Sequence, residues 1–157
     1  MSARISPEEA GGQNVVAFLD TIAFSEGTAF RGDDGYNVLV GGQLFQGYVY
    51  HPRELIHVRD DLYSTAAGRY QFLAHTWDDL ASRLGLTDFS PVSQDKGAIE
   101  LIRERDALDD IVAGRFVGAV AKCSTIWASF PGNNYGQRVQ RISELAKTFT
   151  TAGGLLT

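Results

Sequence analysis

The sequence predicts an α+β domain, mainly helical, with one small β-hairpin placed early in the chain. Three observations lead there. Apolar residues recur at helical spacing in several separate stretches. The glycine pair Gly41-Gly42 separates two short apolar runs, as a tight hairpin turn would. The 157 residues hold no internal repeat, low-complexity tract or interdomain linker, so one domain with a self-supporting core is expected.

Residues 1–13 read as a flexible lead-in, with Gly11-Gly12 before Asn14 as the N-cap of a first helix, and residues 14–157 as a single domain. In that helix Val15, Phe18, Leu19 and Ile22 fall at i, i+3, i+4 and i+7, the mark of a buried face, and Gly27 stops it. Residues 38–40, Gly41-Gly42 and Leu44-Phe45 form the predicted hairpin, and 46–68 show no period and read as loop, turn and short helix. Phe72, Leu73, Trp77, Leu80, Ala81 and Leu84 mark the next helix, which stops at Gly85. Ser90 and Pro91 open another, with proline in the first turn. Short helical pieces follow around ALDDIVAG and FVGAVAKCSTIWASF. The PGNN break then precedes a last helix that ends before Gly153-Gly154.

The formal net charge is −5, from 14 basic and 19 acidic side chains. There is no dense basic cluster, which argues against nucleic acid as a partner. No apolar run approaches the ~20 residues needed to span a bilayer, so stable membrane insertion is not expected. The polar N-terminus does not read as a secretory signal, and a cytoplasmic location is expected. The single cysteine, Cys123, has no internal partner and reads as a buried thiol.

One residue breaks the pattern of the first helix. The apolar stripe runs on from Ile22 and lands on Glu26. A solvated charge at a helix end is one reading. The other is a carboxyl kept protonated, because partial burial and the negative end of the helix dipole both disfavour the anion. Gly27 leaves room for a ligand. Such a group is a general acid, and protonating a glycosidic oxygen is one use for it.

Several segments, in order and at matching spacing, carry a resemblance to a known family. They are FLD with SEGT (18–20 and 25–28), GY, VGG and LF (35–45), HPR (51–53), STAAGRYQ (64–71), LGL with DFSP and SQD (84–95), IWASFPG (126–132) and YGQ (135–137). On these the chain resembles the bacteriophage lambda lysozyme (endolysin) family of lytic transglycosylases, from about Phe18 to Gly154. The resemblance implies a lysozyme-like fold and cleavage of the β-1,4 bond between N-acetylmuramic acid and N-acetylglucosamine in peptidoglycan. It maps the catalytic glutamate onto Glu26. That carboxyl would protonate the leaving oxygen, then take the proton of the muramic acid C6 hydroxyl as it attacks C1. The product is a 1,6-anhydromuramoyl end, formed without water, metal or cofactor. The substrate's own N-acetyl group can stabilise the transition state.

By the same resemblance Tyr70 and Gln71 are expected to contact the sugar, or else to begin a packed helix. Ser25 either orients the Glu26 carboxyl or bonds its own helix backbone. Tyr135 is expected on a loop at the cleft rim, Tyr48, Tyr50 and His51 on the opposing rim, and Asn37 among the substrate contacts. Arg69 is expected to pair structurally. The implied setting is a phage or prophage endolysin that accumulates in the host cytoplasm as a monomer. A holin would release it to the wall.

The chain departs from the family around the hairpin. The stretch between SEGT and GY is short and reads AFRGDD. Asp34 stands at a family histidine, Asn37 at an aspartate and Phe24 at a tryptophan. Asp33 and Asp34 thereby supply a rival, a hydrolytic muramidase with a second carboxylate. A solvated turn over residues 32–35 is the other reading of that pair. A catalytically idle wall-binding module is a rival of a different class. His51 and His57 lie six apart with no cysteine pair, so no metal site is expected. GGQ at 41–43 reads as the hairpin turn and no GxSxG elbow is present. Trp77 and Trp127 read as core.

Overall fold

The computed structural model describes residues 4–132 and 140–157. The chain begins with α1 (Pro7–Ala10), where the Ser6 side chain accepts from the Glu9 N–H at 3.2 Å and Pro7 sits in the first turn. Ile5 is buried and its N–H donates to Asp95 Oδ2 at 2.9 Å. Over residues 4–13, then, the expected flexible lead-in is a capped turn docked on the core.

Helix α2 (Gln13–Glu26) starts after Gly12, not at Asn14. The Asn14 amide instead donates to the carbonyls of Ile111 and Leu155, and its oxygen accepts from the Leu155 N–H, fastening the C-terminal segment. Burial goes beyond the stripe: Val16, Ala17, Thr21 and Ala23 are enclosed along with Val15, Phe18, Leu19 and Ile22. A helix apolar nearly all round belongs at the centre of a fold. Here α1, α4 (Pro91–Glu104), α5 (Leu108–Val112) and α7 (Ile142–Thr151) pack around it. Phe18 meets Phe116 of α6 (Phe116–Cys123) and Phe130 edge-on, and Phe116 in turn packs on Phe149.

The chain's two-stranded sheet is not where the glycine pair predicts it. Antiparallel β1 (Ile56–Arg59) and β2 (Leu62–Ser64) pair around a turn at Asp60, within the stretch expected to be loop and short helix. Both faces of this hairpin are largely exposed, so no hydrophobic alternation announces it. The expected early hairpin is reduced to an isolated bridge between Val38 and Leu44. The Gly41-Gly42 turn does form there, closed by a bond from the Gly42 N–H to the Leu39 carbonyl. Its first arm also pairs with the GRYQ region: Leu39 bridges Ala67, and the Gly68 N–H donates to the Val38 carbonyl.

Helix α3 (Ala74–Leu84) closes on Gly85 in left-handed conformation, and α4 opens on Ser90 and Pro91, as expected. Phe72, Trp77, Phe89 and His51 form an aromatic cluster beside α3 and α4. A buried polar network joins this half to the helices. Asp95 accepts from Tyr36 and Tyr70 hydroxyls, and the Gln94 amide donates to the carbonyls of Tyr36 and Phe89 while its oxygen accepts from the Arg69 N–H. Arg69 reaches Asp20 at 3.0 Å and the Asp34 carbonyl at 2.8 Å, the structural pairing expected of it. Trp77, Trp127 and Cys123 are buried, and burial pushes the Cys123 thiol up to about 12.

Candidate active site

Each residue of the SEGT segment has a separate structural task. Gly27 takes φ +81 and caps α2, a left-handed position where a Cβ is disfavoured. The Thr28 hydroxyl donates to the Arg69 carbonyl at 2.6 Å, tying the end of α2 to the GRYQ loop. Ser25 is buried, with its hydroxyl 2.7 Å from that of Ser129. Glu26, partly buried, accepts from the Ser129 hydroxyl through Oε2 at 2.5 Å.

Ser129 is held from both sides. Trp127, buried, donates its indole N–H to the Tyr70 carbonyl at 3.0 Å, and Phe130 packs against Phe18. The serine between them is therefore positioned by the core. Burial pushes the Glu26 carboxyl up to about 7, against the opposing effect of the Ser129 hydrogen bond, which favours the anion. A carboxyl with that value holds its proton for a large share of the time at neutral pH, as a general acid must.

Glu26 opens into a cleft of about 230 Å³. Gly41, Gly42, Arg31 and Gln71 line it as well. A Cβ on Gly42 would lie 2.7 Å from the Arg31 guanidinium, so the glycine turn lets Arg31 lie close over the backbone. Gln71 takes φ +53, a sparsely populated region for a side-chain-bearing residue, and its amide donates to the Val38 and Gly68 carbonyls. Among the described residues lining this cleft, Glu26 is the single carboxylate.

Not all the expected contacts gather here. Gln71 does. Ser25 reaches the site only through Ser129, not by touching Glu26's carboxyl or the open cleft. Tyr70 does not reach it at all: it is 1 % exposed, and its hydroxyl donates to Asp95 at 2.5 Å, so it is part of the core. Nor does it begin a helix, since α3 starts at Ala74. Asn37 serves its own turn, where its side-chain oxygen accepts from the Asp33 N–H at 2.8 Å. Tyr48 packs edge-on against Phe45 and donates its hydroxyl to Asp33 at 2.5 Å. Tyr50 is exposed, while His51 is buried with one ring nitrogen on the Phe72 carbonyl and the other accepting from the Arg53 N–H. Tyr135 lies outside the described residues.

The rival carboxylates are placed elsewhere. Asp33 takes the Tyr48 hydroxyl, and Asp34 lines a separate groove of about 950 Å³ that borders Asp20 and Phe24 rather than Glu26. Sequence reasoning missed Ser129 and Arg31. Ser129 lies 103 residues from Glu26, so no local pattern could link them, and Arg31 sits in the short AFRGDD stretch that departs from the family.

The endolysin family model matches residues 16–156. The endolysin of Escherichia phage lambda is 48% identical over 142 residues, covering 88% of this chain and 90% of that protein. That of Escherichia phage P2 is 46% identical over 157 residues, covering 91% and 94%. Among solved structures, bacteriophage lambda lysozyme in complex with a chitohexasaccharide superposes with a TM-score of 0.91 at 45% identity, over 93% of this chain and 97% of that one. A second structure of lysozyme from bacteriophage lambda gives 0.86 at 44% over the same shares of the two chains. Matched along nearly its whole length, with a partly buried glutamate lining a cleft, the chain belongs to the endolysin family.

Proposed function

We propose that this endolysin is a peptidoglycan lytic transglycosylase in which Glu26 is the single acid and base. As a member of the family it is a lysozyme-type enzyme that degrades peptidoglycan. The finer reading rests on one observation: Glu26, raised to about 7, is the single carboxylate lining its cleft among the described residues. A hydrolase of the two-carboxylate type needs a partner about 5–10 Å across the bond to hold water or to attack. Asp33 is engaged by Tyr48, and Asp34 lines a different groove. With one carboxyl, Glu26 serves first as acid and then as base, and the nucleophile we assign to the second step is the substrate's own C6 hydroxyl.

The sugar would lie along the Gly41-Gly42 backbone, with Glu26 at the bond to be cut. The Glu26 proton goes to the leaving glycosidic oxygen as the C1–O bond breaks. The N-acetyl oxygen of the muramic acid shields the positive charge at C1. The C6 hydroxyl then closes on C1 and its proton returns to Glu26, leaving a 1,6-anhydro end and an unchanged enzyme. Arg31 offers N–H donors to the sugar's acyl and hydroxyl oxygens, and Gln71, whose amide hydrogens go to the Val38 and Gly68 carbonyls, offers its side-chain oxygen to a sugar hydroxyl.

The reading extends to delivery. Among the described residues no helix is long and apolar enough to cross a membrane. We place the enzyme in the host cytoplasm, acting as a monomer, with a holin opening the way to the wall. Expressed alone it should leave host cells intact, and co-expressed with a holin it should lyse them. Lysis without any permeabilising protein would contradict this route, and a dimer by light scattering would contradict the monomer.

Mass spectrometry of muropeptides released from purified peptidoglycan tests the chemistry, with Glu26→Gln as control. Anhydromuramoyl ends, absent from the control, are expected. Reducing muramic acid ends would make it a hydrolase, and binding without release would return the wall-binding module.

A further inference from the structure

Three oxygens stand in a row at the end of α2: Ser25 Oγ, Ser129 Oγ and Glu26 Oε2, with separations of 2.7 and 2.5 Å. A serine hydroxyl has one hydrogen to give. When Glu26 is ionised it can only accept, so Ser129 donates to Oε2 and Ser25 must donate to Ser129. When Glu26 is protonated, the row could in principle reverse, with Oε2 giving its proton to Ser129 and Ser129 donating to Ser25. Reversal strands the Ser25 hydrogen. Ser25 is 5% exposed, and its hydroxyl has no other hydrogen-bond partner among the described residues. A buried donor without an acceptor is costly, so the row keeps one direction in both states.

That direction has a consequence for the carboxyl. Oε2 is an acceptor throughout, so the acidic proton resides on Oε1. Oε1 has no hydrogen-bond partner among the described residues, and Glu26 lines the cleft. We propose that Ser129, oriented by Ser25, is a positioning residue that reserves Glu26 Oε1 as the one oxygen to give the proton and to take it back. The inference rests on the acid and base roles of Glu26 described above. In the first half of the reaction the Oε1–H proton moves to the glycosidic oxygen, which keeps the electron pair of the broken C1–O bond. In the second half the C6 oxygen bonds to C1 and its proton moves to Oε1. The row never turns over, so the same atom is in place for both transfers. This removes a rotation of the carboxyl between the steps.

The test follows the Glu26 carboxyl by carbon-detected NMR across pH in the wild type, Ser129→Ala, Ser129→Thr and Ser25→Ala. Rates on purified peptidoglycan are recorded in parallel. Loss of the donor in Ser129→Ala should move the Glu26 titration upward by roughly half to one pH unit. The alkaline limb of kcat/KM should follow it, and kcat should fall roughly 10- to 100-fold with KM little changed. Ser129→Thr, which keeps a hydroxyl on the same carbon, should restore the wild-type titration. Ser25→Ala should give a smaller upward move, because the Ser129 hydroxyl then donates less strongly.

A Glu26 titration that stays in place in Ser129→Ala overturns the proposal. If that variant does not fold, an unmoved titration in Ser25→Ala overturns it equally. The NMR measurement needs no turnover. Reducing ends from the wild type would therefore defeat the transglycosylase reading while the titration still judges the serine row.

Discussion

Burial of Glu26 acts on stability as well as on the catalytic role proposed for it. An unfolded glutamate titrates near 4.5, whereas the folded carboxyl titrates at about 7. Between those values the unfolded chain has lost its proton and the folded one still holds it. Stability therefore falls as pH rises through this window, and the full penalty is present above it. Its size is about 3 kcal/mol. Glu26→Gln should be inactive yet more stable than the wild type by about that amount near pH 8, and the gain should vanish near pH 4, as urea unfolding at the two pH values would register. Equal stability at pH 8 would mean that burial does not raise the titration of the carboxyl. Tyr70 makes the opposite case, a motif residue that belongs to the core. Tyr70→Phe should cost about 1–3 kcal/mol, because Asp95 loses one of its two tyrosine donors and an Arg69 N–H loses its acceptor, and leave KM unchanged. A raised KM with no loss of stability would make it a sugar contact. In the sequence, Glu26 was legible because it interrupts an apolar stripe. Tyr70 was not, since nothing local marks its partner at Asp95.

At the level of elements, helices were legible where their signals are local. Ser90 and Pro91 start α4, and Gly27 and Gly85 end α2 and α3, through caps confined to a few residues. Strands were not. The hairpin of β1 and β2 hides no apolar face, and the arm at 38–40 is apolar because it is buried against residues 66–68, a contact made in three dimensions. The same junction explains why a glycine stands at position 68. Gly68 has φ +87, and a Cβ there would lie 2.4 Å from Gln94 Oε1, the acceptor for the Arg69 N–H. Gly68→Ala should lower stability by about 1–3 kcal/mol and loosen the GRYQ loop that Thr28 joins to α2. An unchanged urea midpoint would show that the loop adjusts freely.

The whole molecule carries a net charge of −5, and its polymer target is anionic as well. Long-range repulsion then slows encounter, and salt relieves it. Turnover of isolated peptidoglycan should rise as ionic strength goes from about 10 to about 150 mM, through KM rather than kcat. A steady fall over that range would point to an attractive basic surface instead. The family and the helical architecture were legible from motifs spread along the chain. The assembly of the site was not, because α2, the GRYQ loop and the IWASF segment meet only after folding. Product chemistry is the most direct test of the account, since the proposed nucleophile is the C6 hydroxyl and not water. Digestion of peptidoglycan in oxygen-18 water, followed by mass spectrometry of the ends, should give anhydromuramoyl products free of the heavy isotope. Label at C1 of reducing muramic acid ends would contradict it.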